Sequence, residues 1–107
     1  MDLKLSGSTA FVSGSTQGIG YAVAERCAAE GATVILNGRD PERTAAAAQR
    51  LLASLPGSRV SAAAADCSNP DQVAELLDRL GEVDILVNNV GQFDVAPFAT
   101  ISGGRQP

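Results

Sequence analysis

The chain has 107 residues, of which 45% are hydrophobic and 19% charged, and this composition excludes a disordered protein and fits one small globular domain. The formal net charge is −4, the basic residues form no cluster, and no apolar run is long enough to cross a bilayer, so we expect neither a nucleic-acid nor a membrane partner. With no histidine, two cysteines without metal-site spacing and no signal-peptide pattern, the sequence predicts no metal site and a cytoplasmic location.

The chain begins with a pattern that predicts a strand followed by a helix. Residues 9–12 form a short apolar run, which leads through a glycine-rich turn into a helix that opens near Gly18. Four residues form the predicted apolar stripe of this helix: Ile19, Val23, Cys27 and, beside them, Ala22. Gly31 is predicted to end the helix in the left-handed conformation.

A second strand and a second helix follow. Residues 33–36 are rich in β-branched side chains and predict the strand. In the segment after it, Asp40 is predicted to cap a helix and Pro41 to take its first position. The predicted apolar stripe is formed by Ala48, Leu51, Leu52 and Leu55, and Pro56-Gly57 ends the helix.

The last elements repeat this pattern. Residues 59–65 predict a third strand from their place between two terminators, although their alanines fit a helix equally well. Asn69 is predicted to cap a third helix, with Gln72 reaching back to it in a capping box. Its apolar stripe is formed by Val73, Leu76, Leu77 and Leu80, and Gly81 closes it. Residues 83–87 predict the fourth strand.

The alternation of strands and helices predicts an α/β fold. Helices between consecutive strands imply parallel pairing with right-handed crossovers. The prediction is a Rossmann-type doubly wound sheet, β-α-β-α-β-α-β, incomplete, with strand order 3-2-1-4. In that topology the third helix covers its face of the sheet nearly alone, and the outer edge of the fourth strand has no partner.

The turn after the first strand carries the most specific signal in the chain. Its glycines, Gly14, Gly18 and Gly20, are spaced G-x-x-x-G-x-G between a predicted strand and a predicted helix. Gly14 lets the chain turn, Gly18 leaves bare backbone for a diphosphate, and Gly20 lets the helix pack closely on the strand. The alternative is a plain tight turn.

These residues resemble the N-terminal part of a short-chain dehydrogenase/reductase over about residues 5–101. The family has Thr-Gly-x-x-x-Gly-Ile-Gly where this chain has Ser13 in the Thr place, and Asn-Asn-Ala-Gly where this chain has Asn88-Asn89-Val90-Gly91. The resemblance implies an oxidoreductase that moves hydride between a nicotinamide dinucleotide and a carbonyl or alcohol substrate. It implies a cofactor site made of Gly14, Ser15, Thr16, Gln17, Gly18, Ile19, Gly20, Arg39, Asp66, Cys67, Asn89, Val90 and Gly91.

For some of these positions a purely structural role fits the sequence as well as cofactor binding does. Asp66 matches the family's adenine contact, but it also fits a turn at a strand end. One of Asn88 and Asn89 ties the sheet together in the family and the other lies beside the nicotinamide ribose, whereas both also fit strand-end side chains that satisfy backbone groups. Cys67 is expected to give only backbone or van der Waals contact, since no histidine is present to activate its thiol.

The end of the second strand indicates NADP rather than NAD. Gly38 stands where NAD-binding relatives have an acid, and Arg39 follows with a guanidinium suited to the 2′-phosphate. The hydroxyls of Ser15 and Thr16 are expected to donate to the same phosphate, and Gln17 replaces the basic residue of many NADP-binding relatives. The alternative for Arg39 is a surface ion pair with Asp40 or Glu42.

The family's catalytic Ser, Tyr and Lys are not assigned in this chain. Its tyrosine, Tyr21, and its lysine, Lys4, lack the family's Tyr-x-x-x-Lys spacing. We therefore expect residues 1–107 to be the cofactor-binding half of one domain, inactive alone, with an irregular, truncated tail at 92–107 and a homo-oligomeric complete form. The alternative is a non-catalytic dinucleotide-binding module or a non-functional fragment.

Overall fold

The computed structural model describes residues 5–89. Strands and helices follow the predicted order: β1 Thr9–Val12, α1 Gly18–Ala29, β2 Thr33–Gly38, α2 Pro41–Ser54, β3 Arg59–Ala64, α3 Pro70–Leu80 and β4 Ile85–Val87. The strands are parallel and lie in the order β3-β2-β1-β4. The predicted Rossmann-type topology is confirmed, while the predicted tail at 92–107 lies outside the described residues.

The sheet separates two apolar clusters because successive side chains of a strand point to opposite faces. Helices α1 and α2 cover one face, where Val12, Leu36 and Leu51 are fully buried. On the other face Phe11, Ile35 and Leu76 form a smaller cluster beneath α3. Within residues 5–89 the third helix thus covers its face alone, as predicted, and no helix there is long and apolar enough to cross a membrane.

Helix α1 packs through small residues, and its predicted stripe is wrong in part. Its buried positions are Gly20, Ala24 and Ala28. Val23 and Cys27 are half-buried at the side of this contact, whereas Ala22 is exposed and Ile19 is 75% exposed. Small side chains let the helix axis approach β1 and β2 closely, so the larger residues flank the contact and do not form it.

Helices α2 and α3 begin with side-chain caps. Asp40 Oδ1 accepts from the Glu42 amide at 3.1 Å, and Asn69 Oδ1 accepts from the Asp71 and Gln72 amides at 2.9 and 3.3 Å. Both caps were predicted, but the capping box at Gln72 is wrong. Its Oε1 accepts from the Asp66 amide at 2.9 Å, because the Asn69 amide is already bonded to the Asp66 carbonyl.

Three strands differ from their predicted bounds. Strand β3 ends at Ala64 and not at residue 65, because β2 offers no ladder residue beyond Gly38. Strand β2 continues past residue 36 to Gly38, because β3 supplies ladder partners for Asn37 and Gly38. Strand β4 begins at Ile85, not at residue 83, since Asp84 Oδ2 accepts from the Thr9 amide at 2.8 Å and thus replaces a ladder carbonyl. Within the described chain β4 pairs only with β1, and its residues are half-buried.

Removing the cap of α3 tests the fold. The substitution Asn69→Ala leaves the Asp71 and Gln72 amides without their acceptor, and we expect it to lower the free energy of unfolding by about 1 kcal/mol. Urea unfolding followed by circular dichroism measures the change. Asn69→Asp, which keeps an acceptor oxygen, is the control and should lose less; equal stability of the alanine variant and the unaltered chain would contradict the cap.

Candidate functional site

The turn between β1 and α1 leaves a helix start without a side-chain cap. Gly14 and Gly18 have φ angles of 55° and 66°, a left-handed conformation that favours glycine. Gln17 precedes the helix with extended backbone, and its side chain makes no capping hydrogen bond. The first amides of an α-helix have no intrahelical acceptor, so this end of α1 presents N–H groups and a positive dipole end.

Gly20 is required by the contact between the turn and β4. A Cβ atom there would collide with the Gly14 carbonyl oxygen and lie 2.6 Å from Asn89 Nδ2. Those two groups are hydrogen-bonded to each other at 3.0 Å. The predicted reason for this glycine, close packing of helix on strand, is therefore incomplete, because the bare position also admits the Asn89 amide.

Ser15 does not take the predicted role of a phosphate donor. Its side chain is fully buried, and Oγ donates to the Val12 carbonyl at 2.7 Å. The same Oγ accepts from the Asn37 amide at 2.8 Å, and the Ser15 amide donates to the Asn37 carbonyl at 2.8 Å. Ser15 thus joins the turn to the end of β2 and has no hydroxyl proton left for a ligand.

Asn37 is a buried polar residue that the sequence interpretation passed over. It is 1% exposed, and its Oδ1 accepts from the Gly14 amide at 3.0 Å and from Cys67 Sγ at 3.3 Å. Its Nδ2 donates to the Ala63 and Ala65 carbonyls at 3.0 and 3.2 Å. The signal in the sequence is a polar side chain at the end of an apolar run, which needs partners if it is buried.

A cavity of about 530 Å³ opens at the carboxyl ends of β1, β2 and β3. Its walls come from the turn, the segment after β2 and the segment after β3: Gly14, Thr16, Gln17, Asn37, Gly38, Arg39, Asp40, Arg43, Ala65, Asp66, Cys67 and Ser68. The position agrees with the general rule that open α/β sheets bind ligands at the carboxyl edge, where the strand order reverses.

The wall after β2 combines a glycine without room for a side chain with two arginines. A Cβ atom at Gly38 would lie 2.6 Å from Thr16 Cγ2 and 2.7 Å from Thr44 Oγ1. Arg39 forms no ion pair with a described carboxylate, and the pair with Asp40 is made by Arg43 instead, with Nε 3.8 Å from Oδ2. The predicted alternative of Arg39 paired with Asp40 or Glu42 is thus absent from residues 5–89, and Arg43 was missed.

Asp66 and Cys67 form the opposite wall. Asp66 Oδ1 accepts from the Ser68 hydroxyl at 2.6 Å and from the Ser68 amide at 3.0 Å, and these bonds, with a smaller contribution from Arg39, lower the pKa of the carboxyl. Burial, and then the charge of Asp66, raise the pKa of the Cys67 thiol. The thiol therefore keeps the proton that it donates to Asn37, as expected of a residue without a nucleophilic role.

The remaining predicted residues lie around the turn. Asn88 Oδ1 accepts from the Ser13 hydroxyl at 3.4 Å, and the Asn89 amide donates to the same hydroxyl at 2.8 Å, so both asparagines tie β4 to the turn. Gly18 and Ile19 are exposed at the start of α1. Val90 and Gly91 lie outside the described residues.

Tyr21 packs beneath the turn and not in the cavity. The Arg50 guanidinium lies 4.5 Å from the centroid of its ring, and Arg50 Nη2 donates to the Thr16 carbonyl at 3.1 Å. The pair therefore supports the turn from outside, which gives Tyr21 a structural role. Within residues 5–89 no cluster of three metal-ligating side chains occurs.

Known proteins match this chain along nearly its whole length. Residues 8–104 match the family model described as short chain dehydrogenase. The uncharacterized oxidoreductase YvrD of Bacillus subtilis is 42% identical over 106 residues, which cover 95% of this chain and 39% of that protein.

Solved structures agree with this match. L-sorbose reductase from Gluconobacter frateurii, complexed with NADPH and L-sorbose, is 36% identical with a TM-score of 0.77, and the match covers 95% of this chain and 40% of that one. A 3-oxoacyl (acyl-carrier-protein) reductase from Agrobacterium tumefaciens C58 with NADP bound is 39% identical with a TM-score of 0.74, over 95% and 42% of the two chains. The chain thus spans about two fifths of the length of these relatives.

Adding a methyl group at Gly20 tests the contact between the turn and β4. An alanine inside a helix is normally more stable than a glycine by about 1 kcal/mol, but here we expect Gly20→Ala to lower the free energy of unfolding by about 1–3 kcal/mol. Urea unfolding gives the sign. In the double variant with Asn89→Ala one clashing group is gone, so its loss should be smaller than the sum of the single losses; a stabilised Gly20→Ala chain would refute the contact.

Proposed function

Because the chain belongs to the short-chain dehydrogenase family, we propose that it supplies the NADP-binding part of an oxidoreductase. The observation that carries the proposal is one cavity that joins the uncapped start of α1 to Arg39 and Arg43. When bound, the nicotinamide of this cofactor supplies or accepts hydride. The residues described above would bind and orient it.

The diphosphate fits the turn between β1 and α1. A side chain at Gly18 would meet open space, so the backbone there is bare on the side away from the protein. No side chain caps α1 and no acidic residue lies in its first turn, so its amides and dipole are available to an anion. In contrast, the starts of α2 and α3 are occupied by Asp40 and Asn69.

The 2′-phosphate of NADP fits the wall after β2. Thr16 and Thr44 fill the space beside Gly38, so the acid that holds the NAD ribose in relatives has no room at this position without rearrangement. Arg39 and Arg43 supply positive charge in the same wall. Asp40 also lines this wall, but its carboxylate accepts a hydrogen bond from the backbone amide of Glu42 and pairs with the Arg43 guanidinium.

The other parts of the cofactor would lie at the ends of β3 and β4. The lowered pKa of Asp66 keeps its carboxylate charged and able to accept from the adenine amino group. Asn89, which donates to the Gly14 carbonyl, would lie beside the nicotinamide ribose. For the complete protein we propose a carbonyl or alcohol substrate, the class to which L-sorbose in one structural neighbour belongs. We also propose a cytoplasmic location and a homo-oligomeric complete form.

A non-catalytic dinucleotide-binding module is the second candidate. It is favoured by the packing of Tyr21 against Arg50, which leaves the tyrosine of this chain outside the cavity. NADPH oxidation by the complete protein with a panel of carbonyl compounds separates the two candidates, because a non-catalytic module binds the dinucleotide and gives no turnover even there.

Replacing Arg39 tests the cofactor assignment. We expect Arg39→Ala to raise the dissociation constant for NADPH about 10- to 100-fold, because a phosphate loses a charged hydrogen-bond donor, and to leave that for NADH within about twofold. Fluorescence titration of both dinucleotides measures the effect. Arg59→Ala removes the same charge at the far end of β3 and serves as the control. Equal weakening of both dinucleotides by Arg39→Ala would refute the assignment.

A further inference from the structure

We infer that Asn37 is a positioning residue, which fixes the walls of the dinucleotide cavity relative to one another. The inference rests on the proposed function, because it concerns the binding of the same dinucleotide. Asn37 lies in β2, one residue before Gly38 and two before Arg39. Its side chain reaches sideways to the turn after β1 and to the segment after β3.

The side chain of Asn37 uses its full hydrogen-bonding capacity. An asparagine amide has two lone pairs and two N–H groups. The lone pairs accept from the Gly14 amide at 3.0 Å and Cys67 Sγ at 3.3 Å, and the N–H groups donate to the Ala63 and Ala65 carbonyls at 3.0 and 3.2 Å. Because the side chain is 1% exposed, water does not replace a lost partner without rearrangement.

The main chain of Asn37 adds a second connection to the turn. Its amide donates to Ser15 Oγ and its carbonyl accepts from the Ser15 amide, both at 2.8 Å. The turn is therefore bonded to Asn37 at two successive residues, Gly14 and Ser15. The direction of the Gly14 peptide is set by this pair of contacts, because its N–H is bonded to Asn37 Oδ1 and is not free to donate to a ligand.

These contacts indicate more than a satisfied polar group in the core. The residues before Asn37 in β2, Val34, Ile35 and Leu36, are apolar and buried, so packing alone does not require an amide at the next position. Three partners of the amide, Gly14, Ala65 and Cys67, line the cavity. One side chain thus holds the turn after β1, where the diphosphate would lie, and the segment after β3, where the adenine would lie, to β2, the strand that ends just before Arg39.

Loss of this side chain should affect NADPH and NADH alike. The two dinucleotides share the diphosphate and the adenine, whose walls Asn37 joins, and differ only at the 2′-phosphate near Arg39. Asn37→Ala leaves the Gly14 amide without its acceptor. Asn37→Asp keeps an oxygen for that amide but turns an oxygen toward the Ala63 and Ala65 carbonyls.

The first experiment is a fluorescence titration of NADPH and NADH with the unaltered chain and both Asn37 variants. We expect both dissociation constants to rise about tenfold or more, with their ratio kept within about twofold, since walls that Asn37 no longer holds must be ordered when the dinucleotide binds. Val60→Ala, a half-buried position near the start of β3 and away from the cavity, is the control for lost stability. Its melting temperature should fall while its affinities stay unchanged.

Hydrogen exchange in the unaltered chain is a second experiment that needs no variant. We expect the Gly14 amide to exchange as slowly as the amides of β1 and β2, with and without saturating NADPH, because it is already bonded to Asn37. The amides of Gly18 and Ile19 should exchange fast alone and slow down when NADPH is added.

The outcomes separate this inference from the proposed function. Asn37 variants that bind both dinucleotides as the unaltered chain does, or lose NADPH alone, overturn the inference. The inference is also overturned if the Asn37 variants lose no more dinucleotide affinity than Val60→Ala does at the same fraction of folded protein. A Gly14 amide that exchanges fast in the unaltered chain overturns it as well. An unaltered chain that binds neither dinucleotide refutes the proposed function, whatever the exchange rate of Gly14.

Discussion

The hydrogen bond from the Gly14 amide to Asn37 is the contact on which the geometry of the cavity depends. In a parallel sheet the strands run the same way, so their carboxyl ends open at one edge, where the regular ladder stops. Beyond that edge the connecting segments need other partners to keep a fixed distance. Here the side-chain amide of Asn37 links the segments beyond the ladder, because it bonds to the turn after β1 and to the Ala65 carbonyl after β3. The same amide is held in place by its partners, since a buried polar group is costly when it is unsatisfied.

Two of the three described helices begin with a side-chain cap, and the third, α1, begins without one. Asp40 and Asn69 satisfy the first amides of α2 and α3, and these helices serve the packing of the two apolar clusters. Helix α1 has no such cap, although it contacts the sheet through Gly20 and alanines at helical spacing. A helix with uncapped amides is less stable by itself, so the packing of its small residues compensates for the open end. The same open end is what an anionic ligand requires.

Local signals predicted most of the fold, and distant contacts account for part of what was missed. The caps at Asp40 and Asn69, the glycine turn and the strand order follow from neighbours in the sequence and from general rules of chain connection. The buried hydroxyl of Ser15 could not be predicted in this way, because its partner Asn37 is 22 residues away and is reached only once β1 and β2 pair. Periodicity likewise placed Ile19 in the core, since it counts apolar residues and ignores how closely small ones let a helix approach.

The cavity therefore has a shared part and a selective part, and these depend on different residues. The turn, the start of α1 and the end of β3 contact groups that both dinucleotides possess in the proposed function, and Asn37 holds them together. Ile19, at the start of α1, does not line the cavity but is 75% exposed, and in the proposed function a bound dinucleotide would cover apolar surface that water now contacts. In the same proposal the selective part is the wall of Gly38, Arg39 and Arg43, which begins at Gly38, the last ladder residue of β2. Arg39 and Arg43 take no part in the hydrogen bonds of the Asn37 side chain, so under this proposal a change of cofactor preference requires changes in that wall and leaves the network around Asn37 intact.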